Sequence, residues 1–230
     1  MKDNVKISIV IPTYNANGFG SIYTKDCLNS IKSQTYKNYE VIISDHSTND
    51  DIKNIISEYD GLDIKHYFND IGRGSITVNM NCGIKKATGD VIKIMHYDDK
   101  FCNDNALQYI ADVFCKKDIY WGAFGFNHYH QSNNSTCRVM VPSRRKWGCP
   151  SISFFINDVD NPNLFDENVD IMNDHEMHCS LLKKYGDPEI ISDICITVRI
   201  HENQASHFAN TGIKIKADRE YIINKYPEFS

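Results

Sequence analysis

Five short apolar runs alternate with segments of helical spacing through the first two-thirds of this chain, and no other feature constrains its fold as much. The runs cover residues 5–11, 39–45, 62–68, 90–95 and 119–126. Between them, Ile76, Met80, Ile84 and Ala87 recur at i, i+4, i+8 and i+11, and Leu107, Ile110, Ala111 and Phe114 at i, i+3, i+4 and i+7. Such spacing collects apolar side chains on one helical face, and Asn103 or Asp104 is placed to cap the second of these helices. Strands alternating with helices form parallel sheets with right-handed crossovers, because only that hand packs each helix back onto a twisted sheet. The expectation is an α/β fold with a Rossmann-like, mostly parallel central sheet and helices on both faces. Ligands then bind beyond the carboxyl ends of the strands.

Polar chemistry collects at those strand ends. The first run leads into Pro12–Thr13–Tyr14–Asn15, the second ends on Asp45 and continues His46–Ser47–Thr48–Asn49–Asp50, and the fourth leads to His96–Tyr97–Asp98–Asp99. Adjacent carboxylates at a sheet edge can hold a divalent cation against a phosphate, since hard cations take oxygen ligands. Taken alone, such a pair can equally well begin the next loop.

After Gly125 the pattern loosens. Residues 127–150 are polar, aromatic and loop-rich, with Pro142, Gly148 and Pro150 as breakers. Strands are expected at 151–157 and 190–200, and helices at 174–185, ended by Gly186 and Pro188, and at 213–225. At 230 residues the chain can bury one core with a peripheral extension. We read one domain over 1–230, with a nucleotide-binding half at 1–100 and a second half at 101–230 that completes a second pocket.

Composition narrows the partners. Hydrophobic residues make up 41% and charged residues 24%, as in ordinary globular proteins, and the net charge is −5 with no basic block. Nucleic acid is therefore not an expected partner, although a bound cation can bring an anionic substrate to an acidic chain. No signal sequence follows Met1 and no apolar stretch approaches the roughly 20 residues that cross a bilayer. A cytoplasmic location without a transmembrane segment is expected. Among the eight cysteines the nearest pair, Cys137 and Cys149, is 12 residues apart, so reduced core residues are expected rather than a zinc site. The overlapping sequons in Asn133–Asn134–Ser135–Thr136 read as a polar loop.

Taken in order, several segments resemble the inverting family 2 glycosyltransferases of the GT-A fold, and the resemblance covers nearly the whole chain. They are Ile7–Ser–Ile–Val–Ile–Pro–Thr–Tyr–Asn15, Ser33–Gln–Thr–Tyr–Lys–Asn–Tyr–Glu–Val41, Asp45–His–Ser–Thr–Asn–Asp50, Asn69-x-x-Gly72, Asn81-x-Gly83 and Ala87–Thr–Gly–Asp90, ahead of Asp98–Asp99. The resemblance implies transfer of a sugar from a nucleotide-diphosphate donor, expected to be a UDP-sugar, to a hydroxyl acceptor such as a glycan, with Mn2+ or Mg2+ as cofactor. It implies nucleotide-sugar contacts at Pro12, Thr13, Tyr14, Asn15, Asp45, Arg73 and Asp98, and metal contacts at Asp98, Asp99 and His201. His96 stands where the family has the first acidic residue of its motif, which leaves open which of Asp98 and Asp99 is the main ligand. His46 likewise replaces a common aspartate.

On the acceptor side, Asp174 in Asn173–Asp–His–Glu176 matches the aspartate that activates the acceptor hydroxyl. Asp166, Glu167, Asp170 and Glu176 compete for that role, and Asp174 also reads as a helix N-cap. Gly148 and Trp147 are assigned to the acceptor side, Gly148 as a loop glycine that lets donor sugar and backbone approach. Trp121, Tyr129, His128 and His130 are further candidates for a sugar platform. Two other readings remain. A nucleotidyltransferase would carry a glycine-rich, basic segment where Pro12–Asn15 stands. A non-catalytic sugar-nucleotide-binding module is kept open by His46 and His96.

Overall fold

The computed structural model describes residues 4–15, 18–116, 118–143, 148–204 and 211–229. The expected alternation is present as β1 (Ile7–Thr13), α1 (Phe19–Lys32), β2 (Tyr39–Asp45), α2 (Asp51–Ile56), β3 (Ile64–Phe68), α3 (Ile76–Ile84), β4 (Val91–Ile94), β5 (Lys100–Phe101), α4 (Ala106–Lys116) and β6 (Trp121–His130). Then follow β7 (Ser135–Met140), β8 (Ser153–Ile156), α5 (Asn173–Tyr185), β9 (Glu189–Ile200) and α6 (Thr211–Lys225). Among the described residues these strands form one sheet in the order β3-β2-β1-β4-β8-β6-β9-β5, with β7 beside β6. β3, β2, β1 and β4 are mutually parallel. β8 lies antiparallel between β4 and β6, and β6 runs parallel to β9. Ile7 is in register with both Tyr39 and Val91, so the loops after β1, β2 and β4 leave the same edge side by side.

Period-two alternation sends side chains to two cores. Ile7, Ile9 and Ile11 of β1 pack with Leu28 and Ile31 of α1 and Leu107 and Ile110 of α4. On the other face, Val10, Ile42, Ile92 and Ile94 meet Met80 and Ile84 of α3 and Met177 and Leu181 of α5. Each such buried side chain contributes about 1.5–3 kcal/mol. A Cβ on Gly83 would stand 2.6 Å from Val10 Cγ1, so the glycine lets α3 lie close on β1. α6 packs outside α5, with Ile222 and Tyr226 against Cys179 and Val169. Among the described residues no helix is long and apolar enough to cross a membrane.

The amino-terminal ends of the strands are tied by Glu40, which is fully buried. Its carboxylate accepts Ser8 Oγ at 2.6 Å, Thr88 N at 2.8 Å and Lys6 Nζ at 3.1 Å, and Lys65 also donates to it. Burial alone would raise this carboxyl, but the bonds from Lys65, Ser8 and Thr88 hold it well below the usual carboxylate range.

Two local expectations are corrected. Residues 127–150 are not all loop: β6 runs on to His130, turns through Gln131–Asn133 and Asn134 (φ 50°), and returns as β7. β7 is mostly exposed, so it lacks the one-sided apolar alternation that marks a strand. The start of α4 is met from a distance, by Gln34 Oε1 accepting Leu107 N at 3.1 Å, while Asn103 Oδ1 accepts the N–H of Asn105 at 2.9 Å before the helix begins.

Candidate active site

A cavity of about 400 Å³ opens at the carboxyl edge of the sheet. Pro12, Thr13 and Tyr14 line it from β1, His46 from the loop after β2, and His96, Tyr97 and Asp98 from the turn after β4. Cys149 and Pro150 also line it, as do Asp170, Ile171, Asn173 and Asp174. Five residues assigned from sequence to the nucleotide, metal or base therefore line one space, Pro12, Thr13, Tyr14, Asp98 and Asp174, together with His46, His96 and the competing Asp170.

The others brace its walls. Asn15 donates its N–H to Ser47 Oγ at 2.8 Å, and its Oδ1 accepts Ser21 N at 3.2 Å. Asp45 is fully buried, accepts Ser47 N at 2.9 Å and meets His66 Nε2 at 2.9 Å. Burial pushes its carboxyl up, but the bonds from His66 and Ser47 outweigh that and lower it. Arg73, between Gly72 (φ 59°) and Gly74 (φ 95°), donates to the carbonyls of His46 and Ser47, the latter at 2.9 Å. None of these three lines the cavity in this structure. Gly148 is explained by packing rather than by an open approach, because a Cβ there would meet Phe126 Cζ at 2.6 Å. Trp147 lies outside the described residues. Trp121 is a core residue, buried against β8 and α5, and donates Nε1–H to Gly186 O at 2.9 Å.

The turn after β4 divides its two carboxylates. Asp99 N donates to His96 O at 3.1 Å, closing the turn. Asp98 faces the cavity, with Oδ2 3.0 Å from His201 Nε2. Asp99 is turned into the protein, where Oδ1 accepts Arg199 N at 3.0 Å and Oδ2 accepts Ser151 Oγ at 2.5 Å and Cys149 Sγ at 3.6 Å. Burial, and then the charge on Asp98, raise the Asp99 carboxyl above its ordinary value. Beneath this turn Lys93 is fully buried, donating to Ile94 O at 2.7 Å and to Ser151 O. Burial pushes its ammonium down to about 7.

The donor set suits a divalent cation. Ligand atoms of His96, Asp98 and Asp99 all lie within 4.8 Å of one another. Nε2 of His96 and Nδ1 of His201 are buried with no hydrogen-bond partner among the described residues, and burial pushes the His96 imidazole below its ordinary value. An unpaired buried polar atom costs about 1–3 kcal/mol. The His96 nitrogen with the Asp98 and Asp99 oxygens forms a mixed N/O set that first-row divalent ions accept, and His201 brings Nε2, not its unpartnered Nδ1, to Asp98.

Asp174, which also lines the cavity, is the second residue of α5 and not its cap. Met172 occupies the N-cap position without a side-chain bond, and Asp174 Oδ1 accepts the N–H of His175 at 2.7 Å. Burial raises its carboxyl to about 6, against the pull of the His175 N–H. Its competitors are otherwise engaged. Asp166 is bonded by Lys225 and Tyr221. Glu176 is bonded by Lys225 and by Tyr226 at 2.7 Å, Glu167 by Asn81 at 3.0 Å, and Asp170 by Lys214.

Three contributors escaped the sequence reading. Asn79 lines the cavity and ties Thr13 O (3.1 Å) to Ser44 Oγ (2.7 Å). Ser151 and Arg199 hold Asp99, and Arg199 also donates to Asp98 O at 3.0 Å. A polar Asn inside the otherwise apolar face of α3 was the signal available for the first. Ser151 and Arg199 carry none, because their partners are 52 and 100 residues away.

Residues 8–169 match the profile of Glycosyl transferase family 2. Among curated relatives, the Escherichia coli protein named UDP-Glc:alpha-D-GlcNAc-diphosphoundecaprenol beta-1,3-glucosyltransferase WfgD is 27% identical over 134 residues, 58% of this chain and 49% of that protein. Three other relatives match over only 18% to 36% of their own lengths, so this chain spans a part of what they contain. Among solved structures, Staphylococcus aureus TarS 1–349 in complex with UDP-GlcNAc superposes with a TM-score of 0.74 at 18% identity, covering 95% of this chain and 67% of that one. The mannosyltransferase PcManGT from Pyrobaculum calidifontis, in complex with GDP-Man and Mn2+, superposes with a TM-score of 0.70 at 14% identity, covering 96% and 64%.

Proposed function

The chain belongs to glycosyl transferase family 2 and has the GT-A fold, and from that premise we propose that it is an inverting, metal-dependent transferase. It moves a sugar from a UDP-sugar to a hydroxyl of a glycan. The observation that carries this reading is that Asp98, beside His201, and Asp174, which has no cationic partner among its hydrogen bonds, line one cavity from different elements.

In this reading the Pro12–Thr13–Tyr14 turn receives the nucleotide. Asn15, Asp45 and Arg73 fix the loops around it rather than touch it, as their bonds to Ser47, His66 and the His46 carbonyl suggest. Asp98 and His201 hold Mn2+ or Mg2+, with His96 beside them and Asp99 bracing the turn from within. A bound cation supplies Lewis-acid neutralisation of the departing diphosphate. Asp174 takes the proton from the acceptor hydroxyl as that oxygen bonds to the anomeric carbon. The bond to the diphosphate breaks on the opposite side, so configuration inverts. A carboxyl raised to about 6 is a suitable general base near neutral pH, since proton transfer is most efficient when the base titrates close to the working pH. Gly148 and Trp147 belong to the acceptor side, and 1–100 and 101–230 act as nucleotide and acceptor halves of one cytoplasmic domain. The sheet supports that domain reading, because β8, β6 and β9 extend it directly from β4.

The UDP preference is supported by the donors in the names of two of the relatives, whereas the third carries GDP-Man. Calorimetric titration with UDP and GDP, with and without Mn2+, tests it. UDP should bind at least tenfold more tightly with Mn2+, and Asp98→Asn should remove that gain. Failure of every nucleoside diphosphate to bind in the presence of Mn2+ would sink the reading.

A further inference from the structure

Asp174 enters the cavity at the end of a segment, 165–172, that has no regular structure of its own, yet its path is clamped from two sides. On one side α3 holds it: Thr77 Oγ1 donates to Val169 O at 3.1 Å, and Asn81 brackets Phe165 through bonds of 2.9 Å to its carbonyl and from its N–H. On the other side is α6. Its Tyr221 and Lys225 bond Asp166 and its Lys214 bonds the Asp170 side chain, and among its described residues the buried Asp218 alone reaches the backbone of 170–172. The Asp218 carboxylate accepts three consecutive backbone N–H groups, Asp170 at 3.3 Å on Oδ1 and Ile171 and Met172 at 2.7 and 2.9 Å on Oδ2. Hydrogen bonds to an ionised acceptor are about twice as strong as neutral ones. Here they end on the N-cap residue of α5, two positions before Asp174. Asp170, Ile171, Asn173 and Asp174 all line the cavity.

We propose that Asp218 is a positioning residue for the transfer reaction: it fixes the backbone at 170–172 and thereby sets where the Asp174 carboxylate stands, which makes α6 part of the catalytic apparatus rather than a decoration on the fold. The proposal rests on Asp174 being the base. α6 is also held independently of Asp218, by Ile222 and Tyr226 against Val169 and Cys179. Loss of the carboxylate therefore loosens the segment without detaching the helix. The nucleotide edge lies on β1, β2 and β4 and shares none of these bonds, so donor binding should not feel the change.

Asp218→Asn keeps the shape but turns one acceptor into a donor facing an N–H. The probes are UDP–Mn2+ affinity by calorimetry, hydrolysis of whichever of UDP-glucose and UDP-N-acetylglucosamine turns over faster, its pH–rate profile, and amide exchange. Expected are a roughly 10- to 100-fold lower kcat, UDP–Mn2+ affinity within about twofold of wild type, and faster exchange at residues 170–172. The acid limb of kcat should also move to lower pH, as a loosened Asp174 gains water. Asp174→Asn is run alongside. If it is inactive while Asp218→Asn keeps the wild-type kcat and acid limb, the positioning role is wrong and the base reading stands. If Asp174→Asn keeps its activity, the base reading itself fails. Loss of UDP–Mn2+ binding in step with kcat, or loss of cooperative melting, would make Asp218 a general folding residue and overturn the proposal.

Discussion

Carboxylates stand at both ends of the parallel strands, fully buried in Glu40 and half-buried in Asp174, and the two ends treat them in opposite ways. At the amino-terminal end, Glu40 receives donors from Ser8, Thr88, Lys6 and Lys65 and is held well below the usual carboxylate range. At the carboxyl end, Asp174 receives the His175 N–H from its own helix and is raised to about 6, and His96 and His201 each keep a buried nitrogen without a partner among the described residues. Glu40 is fully buried and Asp174 half-buried, so enclosure does not explain the contrast; the donors delivered to Glu40 and withheld from Asp174 do. Saturated groups hold β1, β2 and β4 together. Under-satisfied groups cost stability and keep a lone pair free for a proton or a cation, which is where local rules are expected to fail in favour of chemistry.

The comparison is broken most directly at Asp174. Replacing it with Asn keeps the bond to His175 and removes the base, so transfer should fall by about 10³-fold, within the range that a positioned general base supplies. UDP–Mn2+ affinity should stay within about twofold. A variant that keeps more than a tenth of wild-type turnover would show that the under-satisfied carboxylate is not the base.

At the other end, Glu40→Gln should leave nucleotide binding intact below the melting point and cost about 1.5–3 kcal/mol of stability, because it removes the buried anion that Ser8, Thr88 and two partly exposed lysines donate to. The sign with pH follows from the depressed carboxyl. Its contribution is present above the unfolded pKa and lost as pH falls through the acid range, so the gap between wild type and variant should close on acidification. Chemical denaturation at pH 7 and pH 2 measures it, since the folded carboxyl stays ionised at pH 4. An equal gap at both values would mean that Glu40 acts by shape alone.

What the sequence made legible follows the same division. Strand ends carrying Pro12–Asn15, Asp45 and Asp98 could be read because alternation and turn chemistry are local, and the parallel register then brings those ends together without further information. The separate fates of Asp98 and Asp99 could not be read. They differ because Ser151 and Arg199 reach only Asp99, across 52 and 100 residues, and nothing local to the turn records this. Gly148 was read as an opening toward substrate, whereas the ring of Phe126 fills the space a Cβ would need. The β6–β7 hairpin was hidden because an exposed strand has no buried face to imprint a pattern. Asp218 was invisible for the same reason as Arg199: its partners at 170–172 lie 46 to 48 residues away.

The smallest effect sharpens the contrast most, because it uses one substitution to read cost and function together. Asp174 has a folded-state pKa of about 6 against an ordinary 3.8, and the cause is burial. Folding therefore favours the protonated carboxyl. This contribution is fully present below about pH 4 and is lost as pH rises through 6, leaving the wild type carrying an unfavourable buried charge at neutrality. A shift of that size corresponds to at most about 3 kcal/mol, and partial access to solvent reduces it to about 1 kcal/mol. Asn carries no charge at any of these pH values and accepts the same His175 N–H. Metal-free Asp174→Asn should therefore melt together with the wild type at pH 4 and a few degrees above it at pH 8, while its transfer activity is lost. Differential scanning calorimetry across that range decides the matter. A variant that is less stable at pH 8 than at pH 4, relative to wild type, would mean that the site holds its carboxylate as Glu40 is held, and that the two ends of the sheet do not differ after all.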